Sequence, residues 1–193
     1  MNISIATDLN ERNANTYDGL SKAFHWLTAI AVIAAFTLGP GDFGDLMQQG
    51  IDPGTRNDIV WHESLGLLVF TLTFLRLIWV ILRPAAPKFG MATWMRWLSR
   101  LMHVALWAML FALPLSALLA LGSEGHPLTL LGGLRITEFS FIENARLTGL
   151  VDWGELHKVF GDVIVWLAGL HAFVAIYHHI KLKDEVLTSM LPL

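Results

Sequence analysis

The chain has 193 residues, of which 54% are hydrophobic and only 15% are charged, whereas soluble domains carry about 25% charged residues. A formal net charge of −3, without a basic run rich in aromatics, gives no reason to expect a nucleic-acid partner. The absence of cysteine excludes thiolate-bound iron–sulfur or zinc sites, disulfides and covalently attached haem.

Residues 1–16 are polar and lack the apolar core of a secretory signal, so we expect a short disordered tail before one domain over residues 17–193. Four segments in that domain are apolar enough to cross a membrane: 23–41, 64–82, 101–123 and 163–180. Each comes close to the length of about 20 residues that a membrane-spanning helix needs. The helices of a soluble bundle would need a polar face, which these segments lack. We therefore predict an all-α integral membrane four-helix bundle.

Lysine and arginine set the expected orientation of the bundle. They concentrate near the two termini and in the loop after the second span: Arg12, Lys22, Arg83, Lys88, Arg96, Arg100, Lys181 and Lys183. The opposite side carries only Arg56, Arg135, Arg146 and Lys158. By the positive-inside rule, both termini are cytoplasmic. The outer loops hold ten acidic residues against those four basic ones, and the loop at about 124–155 is long enough to cap the bundle.

Histidines occur at two depths in these spans. His157 and His171 are fourteen residues apart, which is about 40° short of four full helical turns, so they share a face and lie about 21 Å apart. With the topology above, His62 is level with His157 at the outer side, and His25 is level with His171 nearer the cytoplasm. Histidines facing the interior of a membrane bundle are costly and are usually functional. We therefore predict two sites, each with two histidines.

Haem suits such sites better than zinc does. A haem iron needs only two axial ligands, and a helix bundle holds cofactors between facing helices, whereas zinc needs three or four converging protein ligands. Without cysteine, the haem would be b-type. Gly66 and Gly161 each follow an outer histidine by one turn and would let a flat macrocycle approach the backbone; the alternative is that they only aid helix packing.

Arg76 follows His62 by fourteen residues and lies on the same helix face, near the inner leaflet. A buried guanidinium needs a partner, and a propionate of the inner haem is a suitable one. The alternative is that Arg76 extends to the lipid headgroups.

The other four histidines have weaker patterns. His103 opens the third predicted span at the cytoplasmic interface, where it is either a spare ligand or, more simply, solvated. His126 is expected to be exposed in the outer loop. His178, with His179 beside it, lies where the bundle meets the cytoplasm, so it either exchanges protons with a quinone or contacts headgroups.

Several short motifs occur in the same order and spacing as in a known family: FHWL at 24–27, WHESLG at 61–66, FALP at 111–114, LHKVFG at 156–161 and GLHA at 169–172. Together they resemble the prokaryotic cytochrome b561 family over about residues 17–193. The resemblance implies a multi-pass protein of the bacterial inner membrane that holds two b haems. It places the axial ligands at His25, His62, His157 and His171, and it also matches an arginine at Arg76.

The resemblance further implies electron transfer linked to the quinone pool. One bacterial type in the family is a superoxide oxidase, an oxidoreductase that passes electrons from superoxide at the outer face to ubiquinone. Steering an anion calls for positive potential, whereas the outer loops here are acidic, and Lys158 is the only cation next to a predicted ligand.

Two other functions fit parts of the sequence. The protein could be a haem-bearing anchor subunit of a larger complex, such as a hydrogenase or a dehydrogenase, and its acidic outer loops could bind a basic redox partner. The second is a channel or transporter in which histidines relay protons. We find in the sequence none of the broken helices or repeats that are typical of transporters.

Overall fold

A computed structural model describes residues 16–41, 43–83, 86–137, 149 and 151–192. It has four long helices, α1 (Gly19–Leu38), α3 (Asn57–Leu82), α4 (Thr93–Glu124) and α5 (Trp153–Tyr177), and a short α2 (Phe43–Gln48). A π-helical turn (His178–Leu182) extends α5. The long helices, α5 taken with this turn, have the length and composition to cross a membrane. The predicted disordered tail lies outside the described residues, apart from Thr16.

Three of the four helices exceed their predicted apolar spans by seven residues or more, and α1 exceeds its span by one residue. α3, α4 and α5 begin at residues 57, 93 and 153, where the spans were predicted to begin at 64, 101 and 163. The apolar criterion stops at charged residues, whereas a helix continues through the headgroup region because water solvates those charges there. At the start of α5, for example, the Asp152 side chain accepts a hydrogen bond from the Glu155 backbone N–H at 2.8 Å and caps the helix.

The bundle consists of two helix pairs. α1 packs along α3, α4 packs along α5, and the pairs meet where α4 contacts α3. The central core takes one residue from each long helix: Ala31, Val69, Leu110 and Ile164. Outside this core, large apolar side chains point away from the protein, with Trp166 exposed to 80% and Ile81 to 73%. Such a surface suits lipid and not water, which supports a membrane bundle over a soluble one.

A small β-hairpin covers the N-terminal end of α3, the end predicted to face outward and called the outer end below. It pairs β1 (Leu128–Thr129) antiparallel with β2 (Arg135–Ile136), separated by a 3₁₀ turn (Leu131–Gly133). The Glu63 carboxylate accepts a hydrogen bond from the Thr129 N–H, and the Ser64 hydroxyl accepts one from the Leu131 N–H at 2.9 Å. The described part of the long outer loop therefore caps the bundle as predicted, while residues 138–148 and 150 lie outside the described residues.

An ion pair joins this hairpin to the 3₁₀ turn before α3 (Pro53–Thr55). Arg135 donates to both carboxylate oxygens of Asp52, at 2.5 and 3.1 Å. The Arg135 guanidinium, together with the Gly54 N–H, holds the pKa of Asp52 below its usual value. The pair therefore stabilises the hairpin only while Asp52 is ionised.

The two described ends of the chain meet at the opposite side of the bundle. The Tyr17 N–H donates to the Ser189 carbonyl at 3.2 Å, and the Trp26 indole donates to the Met190 carbonyl at 2.8 Å. Nearby, burial alone would raise the pKa of the Asp18 carboxyl, but hydrogen bonds from Ser21 and Trp79 hold it below its usual value. Both ends of the described chain therefore lie at the same end of the bundle.

Candidate haem sites between the helix pairs

The outer site consists of His62 on α3 and His157 on α5, one imidazole from each helix pair. Their ring centroids are 5.9 Å apart and the ring planes cross at 86°. A metal–imidazole nitrogen bond is about 2 Å long, so two rings on opposite sides of one iron have centroids about 6 Å apart. The separation fits axial ligation of a single metal ion.

The hydrogen bonds of these two rings also suit metal ligands. Nδ1 of His62 donates to the Ala35 carbonyl at 2.8 Å, and Nδ1 of His157 donates to the Leu113 carbonyl at 3.0 Å. A carbonyl can only accept, so each Nδ1 carries the proton and each Nε2 keeps a lone pair for a metal. The buried Ser116 hydroxyl lies 3.3 Å from the same nitrogen of His157. Sequence patterns did not identify Ala35 and Leu113, because the groups that accept these hydrogen bonds are their backbone carbonyls.

A cavity of about 290 Å³ is lined by both outer histidines. Its walls are mostly apolar, and Gly66 and Gly161 form part of them. A Cβ atom built on either glycine would meet no neighbouring atom within 4 Å, so close packing against another helix does not account for them. Both glycines leave open space beside a histidine, as a flat macrocycle would require.

Gly39 is a further residue of this cavity that the sequence analysis did not identify. It follows the last residue of α1, and a Cβ there would lie 3.4 Å from Nδ1 and Cε1 of His62. Its missing side chain allows the end of α1 to pass close to this imidazole.

The inner site brings together His25 on α1 and His171 on α5, again one imidazole from each pair. Their centroids are 6.3 Å apart, which also fits two ligands of one iron. The ring of His103 on α4 lies 5.4 Å from that of His171. The expectation that His103 opens the third helix is wrong, since α4 begins ten residues earlier. His103 belongs to the inner cluster.

Arg76 lies inside the bundle beside this cluster. Its guanidinium carbon is 5.2 Å from the centre of the Trp107 ring, a cation–π distance. Its charge interacts with His25, His103 and His171. Among the described residues, no carboxylate forms an ion pair with Arg76. This position is suitable for an anionic group at the inner site, such as a haem propionate.

His178 is placed differently from the other predicted site residues. It is 7% exposed, and its Nδ1 lies 2.5 Å from a carboxylate oxygen of Asp184. The described contacts of His178 are thus with the C-terminal segment, and none joins it to His25 or His171. The sequence analysis missed Asp184 because it lies beyond the last apolar span.

Aromatic rings connect the two sites. Phe70 lines the outer cavity and lies 6.4 Å from Phe111, which stacks on Trp107 at 6.1 Å. Trp107 in turn contacts Arg76 at the inner site. The space between the two histidine pairs is therefore filled with packed side chains.

With this geometry in place, comparison with known proteins decides the family. A family model described as prokaryotic cytochrome b561 matches residues 16–193. The chain belongs to the prokaryotic cytochrome b561 family. The resemblance of the histidine motifs is thereby confirmed.

Curated relatives agree with this membership. The chain is 30% identical over 176 residues to "Cytochrome b561 homolog 2" of Escherichia coli (strain K12), which covers 91% of this chain and 90% of the relative. It is 28% identical over 133 residues to "Cytochrome b561 homolog 1" of the same organism, covering 68% and 73%. It is also 25% identical over 183 residues to "Probable superoxide oxidase CybB" of Yersinia pestis, covering 91% and 96%.

Family membership confirms several expectations at once. This cytochrome b561 is a bacterial membrane protein whose helical bundle binds b-type haem and transfers electrons across the membrane. The predicted all-α membrane four-helix bundle is likewise confirmed.

Proposed function

We propose that this cytochrome b561 holds two b haems, one between His62 and His157 and one between His25 and His171. It would carry electrons from a donor at the outer face to a quinone, with ubiquinone as the expected acceptor. One observation carries the proposal: imidazoles from opposite helix pairs meet in two layers, with centroids 5.9 and 6.3 Å apart.

A bound haem supplies an iron that accepts and releases one electron. The residues of the chain hold, shield and orient it. The carbonyls of Ala35 and Leu113 fix which nitrogen of each outer histidine faces the metal. The mostly apolar walls of the outer cavity suit the macrocycle, and Arg76 offers a positive charge to the inner site. Gly66 and Gly161 leave room for the plane of the outer macrocycle.

The proposal must also name an electron donor at the outer face. Superoxide is one candidate, because the Yersinia relative is named a probable superoxide oxidase. The charges at this face do not favour an anion. Arg56 pairs with Asp58 at 2.6 Å, Arg135 with Asp52 at 2.5 Å, and Lys158 with Glu155 at 3.7 Å. Because these basic residues are paired with carboxylates, the remaining acidic residues of the outer loops give this face a negative potential, which an approaching donor encounters.

That field supports a second candidate function, in which the protein is the membrane conduit of a larger complex and receives electrons from a basic protein partner. Ionic strength separates the two donors. With superoxide the initial rate of haem reduction should rise with added salt, because screening weakens repulsion; with a basic protein donor it should fall.

On the other side of the membrane we place quinone reduction, with both termini cytoplasmic by the positive-inside rule. His178 is our candidate for proton exchange with the quinone. Its contact with Asp184 orients the ring and supplies a second group that can hold a proton. His178→Phe should then slow quinone reduction without changing the haem content.

A reduced-minus-oxidised spectrum with haem quantitation tests the proposal, followed by addition of superoxide and of a soluble quinone. We expect two b haems per chain and electron flow from superoxide to the quinone. Reduction by quinol but never by superoxide would favour the conduit, and a colourless protein would remove the proposal altogether. His126→Ala, in the outer loop, is the matched control and should keep both haems.

A further inference from the structure

The rings of the inner site differ from those of the outer site in what their nitrogens contact. Each outer histidine donates from Nδ1 to a backbone carbonyl. Among the described residues, no group accepts a hydrogen bond from His171, and its ring neighbours are the imidazoles of His25 and His103. Histidines that bind metals almost always donate their second ring N–H to an acceptor. The rings of His25 and His103 are therefore the neighbours that could become this acceptor once His171 binds haem.

The two centroid distances distinguish the neighbours. An N–H hydrogen bond spans about 3 Å and each ring nitrogen lies about 1 Å from its ring centre, so two hydrogen-bonded imidazoles have centroids about 5 Å apart. The ring centroids of His103 and His171 are 5.4 Å apart, close to this value, and the rings meet edge to face at 70° without a hydrogen bond, so a rotation of one ring is needed to form it. His25 and His171, at 6.3 Å, match instead two ligands on opposite sides of one metal. The two neighbours have different roles.

Ser99 holds His103 in the orientation that this role needs. It lies one turn earlier on α4, and its hydroxyl is 3.4 Å from Nδ1 of His103. When that nitrogen donates to the hydroxyl, Nε2 of His103 keeps a lone pair that can accept a hydrogen bond. A chain from His171 through His103 to Ser99 would form if His171 turned its second N–H towards His103.

We propose that His103 is a positioning residue that accepts a hydrogen bond from the second ring nitrogen of His171 and so sets the tautomer and tilt of the inner haem ligand. The inference rests on the proposed function, because it requires His171 to be that ligand. A hydrogen bond accepted from a ligand N–H makes the ligand more basic, which favours the oxidised metal. Losing His103 should therefore raise the reduction potential of the inner haem and leave that of the outer haem unchanged.

The test compares His103→Phe, His103→Gln and Ser99→Ala with wild type in the haem-loaded protein. The readouts are the midpoint potential of each haem and the electron paramagnetic resonance signals of the two low-spin irons. In His103→Phe we expect two haems, one potential shifted upwards and one altered signal. His103→Gln keeps an acceptor oxygen and should restore most of the wild-type values, and Ser99→Ala should give a smaller shift of the same sign. His126→Phe, which removes an outer-loop imidazole, should change nothing.

Three results would overturn the inference, and they differ from a failure of the proposed function. Unchanged potentials and signals with a raised KM for quinone would make His103 a substrate contact. Equal shifts in the Phe and Gln variants would reduce it to a packing residue. Loss of one haem in His103→Phe, with both retained in His25→Ala, would make His103 the ligand itself. The proposed function fails separately if His171→Ala keeps both haems.

Discussion

Replacing Gly161 separates two explanations for a glycine one turn after His157. If Gly161 serves helix packing, a larger side chain should disturb the protein without haem. The structure argues otherwise, since a Cβ there meets no atom within 4 Å. Glycine inside a helix costs about 1 kcal/mol relative to alanine. We therefore expect Gly161→Ala to stabilise the haem-free protein by up to about 1 kcal/mol.

A larger side chain should act only on the haem. Leucine at position 161 would project into the outer cavity of about 290 Å³, where the macrocycle is proposed to lie. Overpacking of a filled site costs about 1–3 kcal/mol, and every 1.4 kcal/mol is a tenfold change in affinity, so retention of the outer haem should weaken by about 5- to 140-fold. Gly66→Leu, on the facing helix, should behave in the same way.

Two measurements report the effects of these substitutions on stability and on haem binding. Thermal unfolding of the haem-free protein in detergent, followed by circular dichroism, reports the stability, and titration with haemin reports the affinity of each site. Gly44→Ala in α2 is the matched control, because a Cβ there also meets nothing within 4 Å and the residue lies outside the cavity wall. Destabilisation by Gly161→Ala, or wild-type haem affinity in Gly161→Leu, would refute the reasoning.

Three more predictions concern single contacts. Arg76→Leu should lower the reduction potential of the inner haem, because a positive charge favours the reduced iron, whereas Arg76→Lys should keep most of the wild-type potential; a redox titration that finds no difference contradicts this. Ser116→Ala should weaken binding of the outer haem by up to about tenfold, as measured by haemin titration, since His157 keeps its carbonyl acceptor; loss of the inner haem would count against the assignment. Because the folded-state pKa of Asp52 is lowered, its contact with Arg135 stabilises the protein above the unfolded-state pKa of about 4. This stabilisation is lost as the pH falls through the folded-state pKa. Asp52→Asn should therefore remove the part of the melting temperature that depends on acid pH, and an unchanged dependence of the melting temperature on pH would contradict this.

The sequence was most informative where helix periodicity and topology act together. Fourteen residues between His157 and His171 fix their common face and their separation in depth, and the structure indeed places His62 beside the first and His25 beside the second. The level of a residue within the bundle follows from its place in the chain, whereas the orientation of the bundle in the membrane stays a prediction. Which residue binds iron stays a prediction.

The features that were missed depend on atoms that a residue pattern does not show. The acceptors at Ala35 and Leu113 are backbone carbonyls, which any residue carries. The contact of His103 with His171 depends on how α4 packs against α5, and hydropathy does not show which side chains meet across two helices. The outer hairpin forms through side chains of α3 that accept from distant backbone groups.

The most direct test of the account is the haem stoichiometry of four single variants, His25→Ala, His62→Ala, His157→Ala and His171→Ala, measured against wild type. We predict two b haems per chain in the wild-type protein and one in each variant. The same spectral component should disappear in His62→Ala and His157→Ala, and the other component in the remaining two. A variant that keeps both haems, or a wild-type protein that binds only one, would contradict the proposal that two layers of paired imidazoles each hold an iron porphyrin.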